Sequence, residues 1–176
     1  MSELKCPLMD EEVTFFRCGN SSIEQQIKDS YFATLLKQAY GHKILIDGKC
    51  VGYYMLMFKH IELDDINQIM CDEYQSDIAN YYTSIHIKYL AIDERYQNNK
   101  IGTTVLRAIL SQILKLSMKY PIRIITIDAL DKYYEWYKAI GFRDMPSREY
   151  DGVTHPMFMD CMTEDDVYKL KNYTML

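Results

Sequence analysis

Apolar residues recur along the chain with two different periods. Ile101, Val105, Ile109, Ile113 and Leu116 track one helical face, widened by Leu106, Leu110 and Leu114, and predict an amphipathic helix from Ile101 to Lys119. Tyr120-Pro121 stops it. Ile23, Ile27, Tyr31 and Leu35 predict an earlier helix running to about Gln38, with Ser21-Ser22-Ile23-Glu24 as a capping box and Ser21 as the cap. Strand-type runs cover Lys43 to Ile46 and Cys50 to Phe58, and the Asp47-Gly48 between them is a hairpin signal, because Gly accepts positive φ at the turn. Thr83 to Ile92 predicts a long strand, Arg123 to Ile127 a buried one, Val13 to Arg17 a short first strand and Gly152 to Cys161 a last one. Leu130 to Ile140 predicts a helix ended by Gly141, and Thr163 caps a short helix over Glu164 to Lys171. The acidic stretch His60 to Tyr82 predicts a loop with a short helix around Asp72 to Asn80. Hairpins mixed with crossover helices give an α/β fold whose sheet is part antiparallel and part parallel. No linker, repeat or low-complexity segment interrupts the chain, which predicts one domain over 1–176.

Composition narrows the classes. The 176 residues are 48% hydrophobic and 26% charged, an ordinary globular balance that excludes disordered and collagen-like chains. No apolar run reaches the roughly 20 residues of a bilayer span, and the first ten residues do not read as a secretory signal, so the expected compartment is the cytoplasm and no membrane is expected as a partner. A net charge of −5 is not the profile of a general nucleic-acid binder, although a local basic patch from Lys88, Arg95, Lys100 and Arg107 stays open. The five cysteines are scattered, with neither CxxC pairs nor zinc spacing, and the acidic segment lacks EF-hand spacing; no metal is expected, and the thiols read as reduced core filler. Tyrosine is abundant, at 16, but Tyr81-Tyr82 and Tyr133-Tyr134 lack the interleaved basic residues of a nucleic-acid platform, apart from Lys132 and Lys138.

The chemistry concentrates in Tyr89-Leu90-Ala91-Ile92-Asp93-Glu94-Arg95-Tyr96-Gln97-Asn98-Asn99-Lys100-Ile101-Gly102-Thr103. A buried strand enters a polar loop that opens a helix at a glycine. Such a helix start offers unpaired N–H groups and the positive end of the dipole, a cradle for a pyrophosphate.

The string resembles motif A of the GNAT (general N-acetyltransferase) superfamily, Q/R-x-x-G-x-G/A after a strand ending L-A-V, with Gln97 at the first position and Gly102 at the last. Lys100 replaces the first glycine. A positive φ there would suit Lys poorly, whereas a helical backbone would cost nothing and add a cation; the helical case is the expectation. Downstream, Trp136-Tyr137-Lys138-Ala139-Ile140-Gly141-Phe142 resembles the F/L-Y-x-x-x-G-F segment of the same family. The usual N-x-x-A is not kept. Asp128-Ala129-Leu130-Asp131, Cys18-Gly19 and Val51-Gly52-Tyr53-Tyr54 instead resemble a subgroup that includes acetyltransferase toxins acting on aminoacyl-tRNA. The closest resemblance runs from Tyr89 to Phe142, about a third of the chain.

The resemblance implies a mixed parallel/antiparallel central sheet of about six to seven strands flanked by helices. It implies acetyl transfer from acetyl-CoA, as co-substrate, to a primary amine of a small molecule or protein by direct attack in a ternary complex. Gln97, Asn98, Asn99, Lys100, Ile101, Gly102 and Thr103 would bind pyrophosphate, mainly through main-chain N–H groups. Leu90, Ala91 and Ile92 would offer strand backbone to the pantetheine arm. Tyr137 would be the general acid to the departing thiolate, since a phenol's reference pKa lies slightly above a thiol's. His86 stands four residues before Leu90, where some relatives carry a catalytic Glu, and is the candidate general base; a strand histidine facing solvent or bonded to a neighbour is the plainer reading, and a water chain serves in many relatives. Two further readings stay open: a toxin acetylating the amine of a charged tRNA, and a non-catalytic acyl-CoA-binding module. A homodimer is among the assemblies left open.

Overall fold

In a computed structural model the described residues are 12–62, 81–146, 148–163, 165, 166, 168 and 169; the short helix expected near residues 72–80 lies outside them. Helices α1 (Glu12–Phe15) and α2 (Ser21–Leu35) precede strands β1 (Tyr40–Ile46), β2 (Lys49–Glu62) and β3 (Tyr81–Ile92). Helix α3 (Ile101–Ser117), strand β4 (Ile122–Leu130), helix α4 (Tyr134–Ile140), the two-residue β5 (Arg143–Asp144) and β6 (Thr154–Asp160) follow. Hydrogen bonding orders the six strands β1-β2-β3-β4-β6-β5 in a mixed sheet. None of the described helices is long and apolar enough to cross a membrane.

The chain divides into two compact units, one holding the described residues up to Phe58 with His86–Ile113, the other those of Lys59–Ile85 and from Leu114 onward. In the first unit, the segment expected as an opening strand is helical. Val13 and Phe16 are each 4% exposed while Phe15 is 73% exposed, a spacing of three that only a helical turn delivers. The cap of α2 is Asn20, not Ser21: its side chain accepts from Ile23 N at 3.1 Å, and Glu24 reaches back to Cys18 N at 2.9 Å. The helix stops at Leu35, short of Gln38, because Lys37 turns left-handed at φ 56 and the Gln38 and Ala39 amides both return to Ala33 O.

The β1–β2 hairpin turns on Asp47 (φ 51) and Gly48 (φ 75), as the sequence predicts. Its register pairs Ile44 with Gly52 but Leu45 with Cys50, so Val51 is the extra residue of a β-bulge. Val13, Phe16, Ile27, Ala39, Tyr53, Met55, Tyr89 and Ala91 form the core here, with Phe16 edge-on to Tyr53 at 4.9 Å.

In the second unit, β4 and β6 run antiparallel from Ile124↔Asp160 to Leu130↔Thr154, and Arg123 clamps Asp160 with two bonds of 2.9 and 3.1 Å. Ile61, Ile124, Met145 and Phe158 pack together beside Tyr82. The expected helix over Leu130 to Ile140 resolves into a 3-10 turn, Asp131–Tyr133, followed by α4. Gly141 ends α4 at φ 117. Thr163 and Asp166 cap each other, with Asp166 N to Thr163 Oγ1 at 3.1 Å and Thr163 N to the Asp166 carboxylate at 2.9 Å.

Candidate active site

The first unit carries the strand–loop–helix. At the end of β3, Asp93 is 2% exposed, which for a carboxylate demands partners. Arg95 supplies them: Nε and Nη2 reach the two carboxylate oxygens at 2.8 and 3.0 Å, and the Arg95 amide adds a bond of 3.0 Å. Burial works against the charge, but the bonds and charge of Arg95 hold the Asp93 carboxyl below its ordinary range. Asp93 N donates to Val51 O at 2.9 Å, so the bulge on β2 also fixes where the loop leaves the strand. Sequence reading passed over Asp93, because a lone aspartate after a strand carries no signal of its arginine.

Gln97 is a clasp. Its Nε2 donates to Ile92 O at 2.9 Å and to Cys18 O at 3.2 Å, tying the loop to the strand end and to the entry of α2. Its main-chain N–H goes to Glu94 O at 3.3 Å, so Gln97 holds the loop's shape rather than presenting that amide to an anion.

The expectation of a helical Lys100 is corrected. Lys100 has φ 60 and Asn98 φ 63, both left-handed. The position that the family fills with glycine thus keeps glycine's conformation, with a lysine paying roughly 1 kcal/mol or more for it. The first bond of the helical ladder runs from Thr104 N to Lys100 O at 3.0 Å. The amides of Ile101 and Gly102 therefore precede the ladder, and the first turn contains no acidic residue. This fits an anionic diphosphate: main-chain donors, a dipole end and a lysine, with no carboxylate in competition. Lys88, Lys100 and Arg107 are exposed, and the Arg95 side chain is 69% exposed.

Leu90 and Ile92 are half-buried and Ala91 is buried on β3. Across from them, Gly52 has no room for a side chain: a Cβ would run into the Ala91 carbonyl oxygen and meet Ile44 and Ile92 methyls at 3.1 Å. His86, also on β3, is 1% exposed, so it does not face solvent. A cavity of about 400 Å³ opens beside Asp93, Arg95 and Tyr96, with Phe16, Tyr53 and Lys49 among its walls.

The second unit carries Tyr137, on α4. It is 6% exposed, edge-on to Trp136 at 4.6 Å and to Phe142 at 5.6 Å. Burial, helped by Tyr133, raises its pKa well above the ordinary tyrosine value, so the phenol keeps its proton at every physiological pH. Of the cysteines, Cys18 and Cys50 are half-buried and reduced, and burial pushes the Cys161 thiol up to about 11; Cys6 and Cys71 lie outside the described residues.

A family model described as an acetyltransferase (GNAT) domain matches residues 24–161. A search of curated proteins finds no match. Among solved structures, a crystal structure of a bacterial toxin superposes with a TM-score of 0.72 at 17% identity, covering 92% of this chain and 88% of that one. The crystal structure of AtaTR bound with acetyl-CoA gives 0.67 at 17%, covering 90% and 88%. AtaT complexed with acetyl-methionyl-tRNAfMet gives 0.65 at 17%, covering 90% and 91%. At these identities the likeness is one of fold.

Proposed function

The chain belongs to the GNAT acetyltransferase family and is thereby an acyltransferase; from that premise we propose that it moves the acetyl group of acetyl-CoA onto the α-amine of an aminoacyl-tRNA. The observation that carries the reading is the loop between β3 and α3, whose left-handed Asn98 and Lys100 lead into a helix start with no acidic residue, the arrangement that suits a diphosphate. The choice of acceptor is supported by neighbours described as binding acetyl-CoA and an acetylated aminoacyl-tRNA, and by the exposed basic residues around the loop. A small-molecule or protein amine is the competing acceptor.

In this reading Ile101, Gly102 and Thr103, with Asn99, direct main-chain donors at the pyrophosphate. Lys100 adds its charge, while Asp93 and Gln97 keep the loop in shape. Leu90, Ala91 and Ile92 line the pantetheine arm with strand backbone. A strand N–H stabilises the oxyanion that forms when the amine lone pair attacks the thioester carbon. As the carbon–sulfur bond breaks, Tyr137 gives its phenolic proton to the thiolate. His86 takes the proton lost by the attacking amine, and its burial means that a water must carry the proton to it. Burial keeps the Tyr137 phenol protonated and makes it a weaker acid than a free tyrosine, so its proton leaves only as the thiolate charge develops.

The test is acetyl-CoA turnover against a panel of amines that includes aminoacyl-tRNA. The expected result is acetylation of the aminoacyl group, with Tyr137→Phe lowering kcat by about a hundredfold or more while the Kd for acetyl-CoA is unchanged. Turnover with free or protein amines alone would move the acceptor to that class. Binding of acetyl-CoA without turnover on any amine would leave a binding module instead.

A further inference from the structure

His155, on β6, sits in a three-ring stack in the second unit. Tyr134 lies against its ring at 4.1 Å and 30°, Tyr150 at 4.3 Å and 17°. Two six-membered rings cannot share one imidazole face at those distances without overlapping, so the tyrosines take opposite faces. Two of the layers are tethered by side-chain bonds. His155 Nε2 is 2.9 Å from Asp131 Oδ1, and Tyr134 OH donates to Asp144 at 2.9 Å. The turn after Tyr150 is held by Asp151, which accepts from Val153 N at 2.8 Å and Thr154 N at 2.6 Å. The stack is also asymmetric. Lys138 lies over the Tyr134 ring at 5.0 Å, whereas Tyr150 is 48% exposed. One end is thus covered by a cation, and the other presents an aromatic face to solvent on a base that is already ordered.

An ordered ring with one open face costs little further entropy to engage, and a flat neutral heterocycle is the ligand that fits it. We propose that the outer face of Tyr150, backed by His155 and Tyr134, is a stacking platform for an adenine base of the substrates. This rests on the transferase reading for the identity of those substrates, since two of them carry adenine: acetyl-CoA in its nucleotide and aminoacyl-tRNA in its terminal adenosine. Asp131, Asp144 and Asp151 stand at the stack, so a base there is held by ring contact alone, without the cationic groove of a strand-binding platform.

The platform is tested apart from the reaction by titrating the protein with AMP and following ring protons by NMR. Upfield shifts at Tyr150 and His155 are expected, retained in Tyr150→Phe and lost in Tyr150→Ala; no shift at millimolar AMP overturns the proposal, whether or not the protein is a transferase. The source of the base is then read from binding. If coenzyme A supplies it, Tyr150→Ala weakens coenzyme A about tenfold and leaves 4′-phosphopantetheine unaffected. If the tRNA end supplies it, coenzyme A is unaffected and the KM for aminoacyl-tRNA rises about tenfold. Unchanged values in both arms, with the variant folded, overturn the platform as a substrate subsite while leaving the transferase reading intact.

Discussion

At the scale of single residues, Lys100 sits where its own conformational preference would not put it. Glycine costs nothing at φ 60, and lysine pays a steric penalty. Lys100→Gly should therefore raise the unfolding free energy by about 1 kcal/mol, read from urea melts. It should also weaken coenzyme A binding a few-fold at low salt and flatten the salt dependence of Kd, because a cation beside the phosphates is gone. A lower affinity that does not depend on salt would assign the loss to loop shape rather than to charge. The sequence misjudged the backbone at Lys100. A lysine in place of the motif glycine reads as evidence for a helical φ, whereas the loop geometry, enforced by the Asp93–Arg95 pair and the Gln97 clasp, overrides that local preference.

At the scale of elements, the long periodic segments were legible and the short ones were not. α3 and β3 stand within two residues of their expected ends, because seventeen and twelve residues give a period time to declare itself. α1, with four residues, does not, and its β-branched and aromatic composition reads as a strand. The long-range contacts were hidden for a different reason. Gln97 with Cys18 and Tyr134 with His155 are contacts between residues far apart in the chain, and no window along the sequence contains both partners. Gly52 lies between these cases: its motif was visible, its cause was not. It is there because β2 passes so close to Ala91 that a methyl group would strike the carbonyl oxygen. Gly52→Ala should cost about 2 to 3 kcal/mol in thermal or urea unfolding. It should raise the Kd for coenzyme A as well, since the strand displaced is the one assigned to the pantetheine arm. A folded, fully binding variant would show that β3 can move without consequence.

At the scale of the whole molecule, stability should depend on pH through a histidine on β1. His42 lies flat against Tyr54, ring centroids 4.4 Å apart and 3° from parallel, and burial lowers its pKa to about 4. The unfolded chain takes up that proton near 6.5, the folded one only near 4. Folding is therefore favoured fully above about 6.5, and His42's share of stability is lost progressively as the pH falls from there through 4. His42→Gln should flatten the fall of the urea midpoint between pH 7 and 5, leaving the loss below about pH 4 that belongs to carboxylates such as Asp93. An unchanged slope would place the titration elsewhere.

The Gln97 bridge makes the loop vulnerable to an exchange of a single atom. Its Nε2 faces two carbonyl oxygens. Hydrolysis of that amide to a carboxylate, the commonest chemical ageing of glutamine, would put an anionic oxygen where the nitrogen had been. Three oxygens would then confront one another with no hydrogen among them, and a protein of unchanged outline would lose the brace between the end of β3 and the entry of α2.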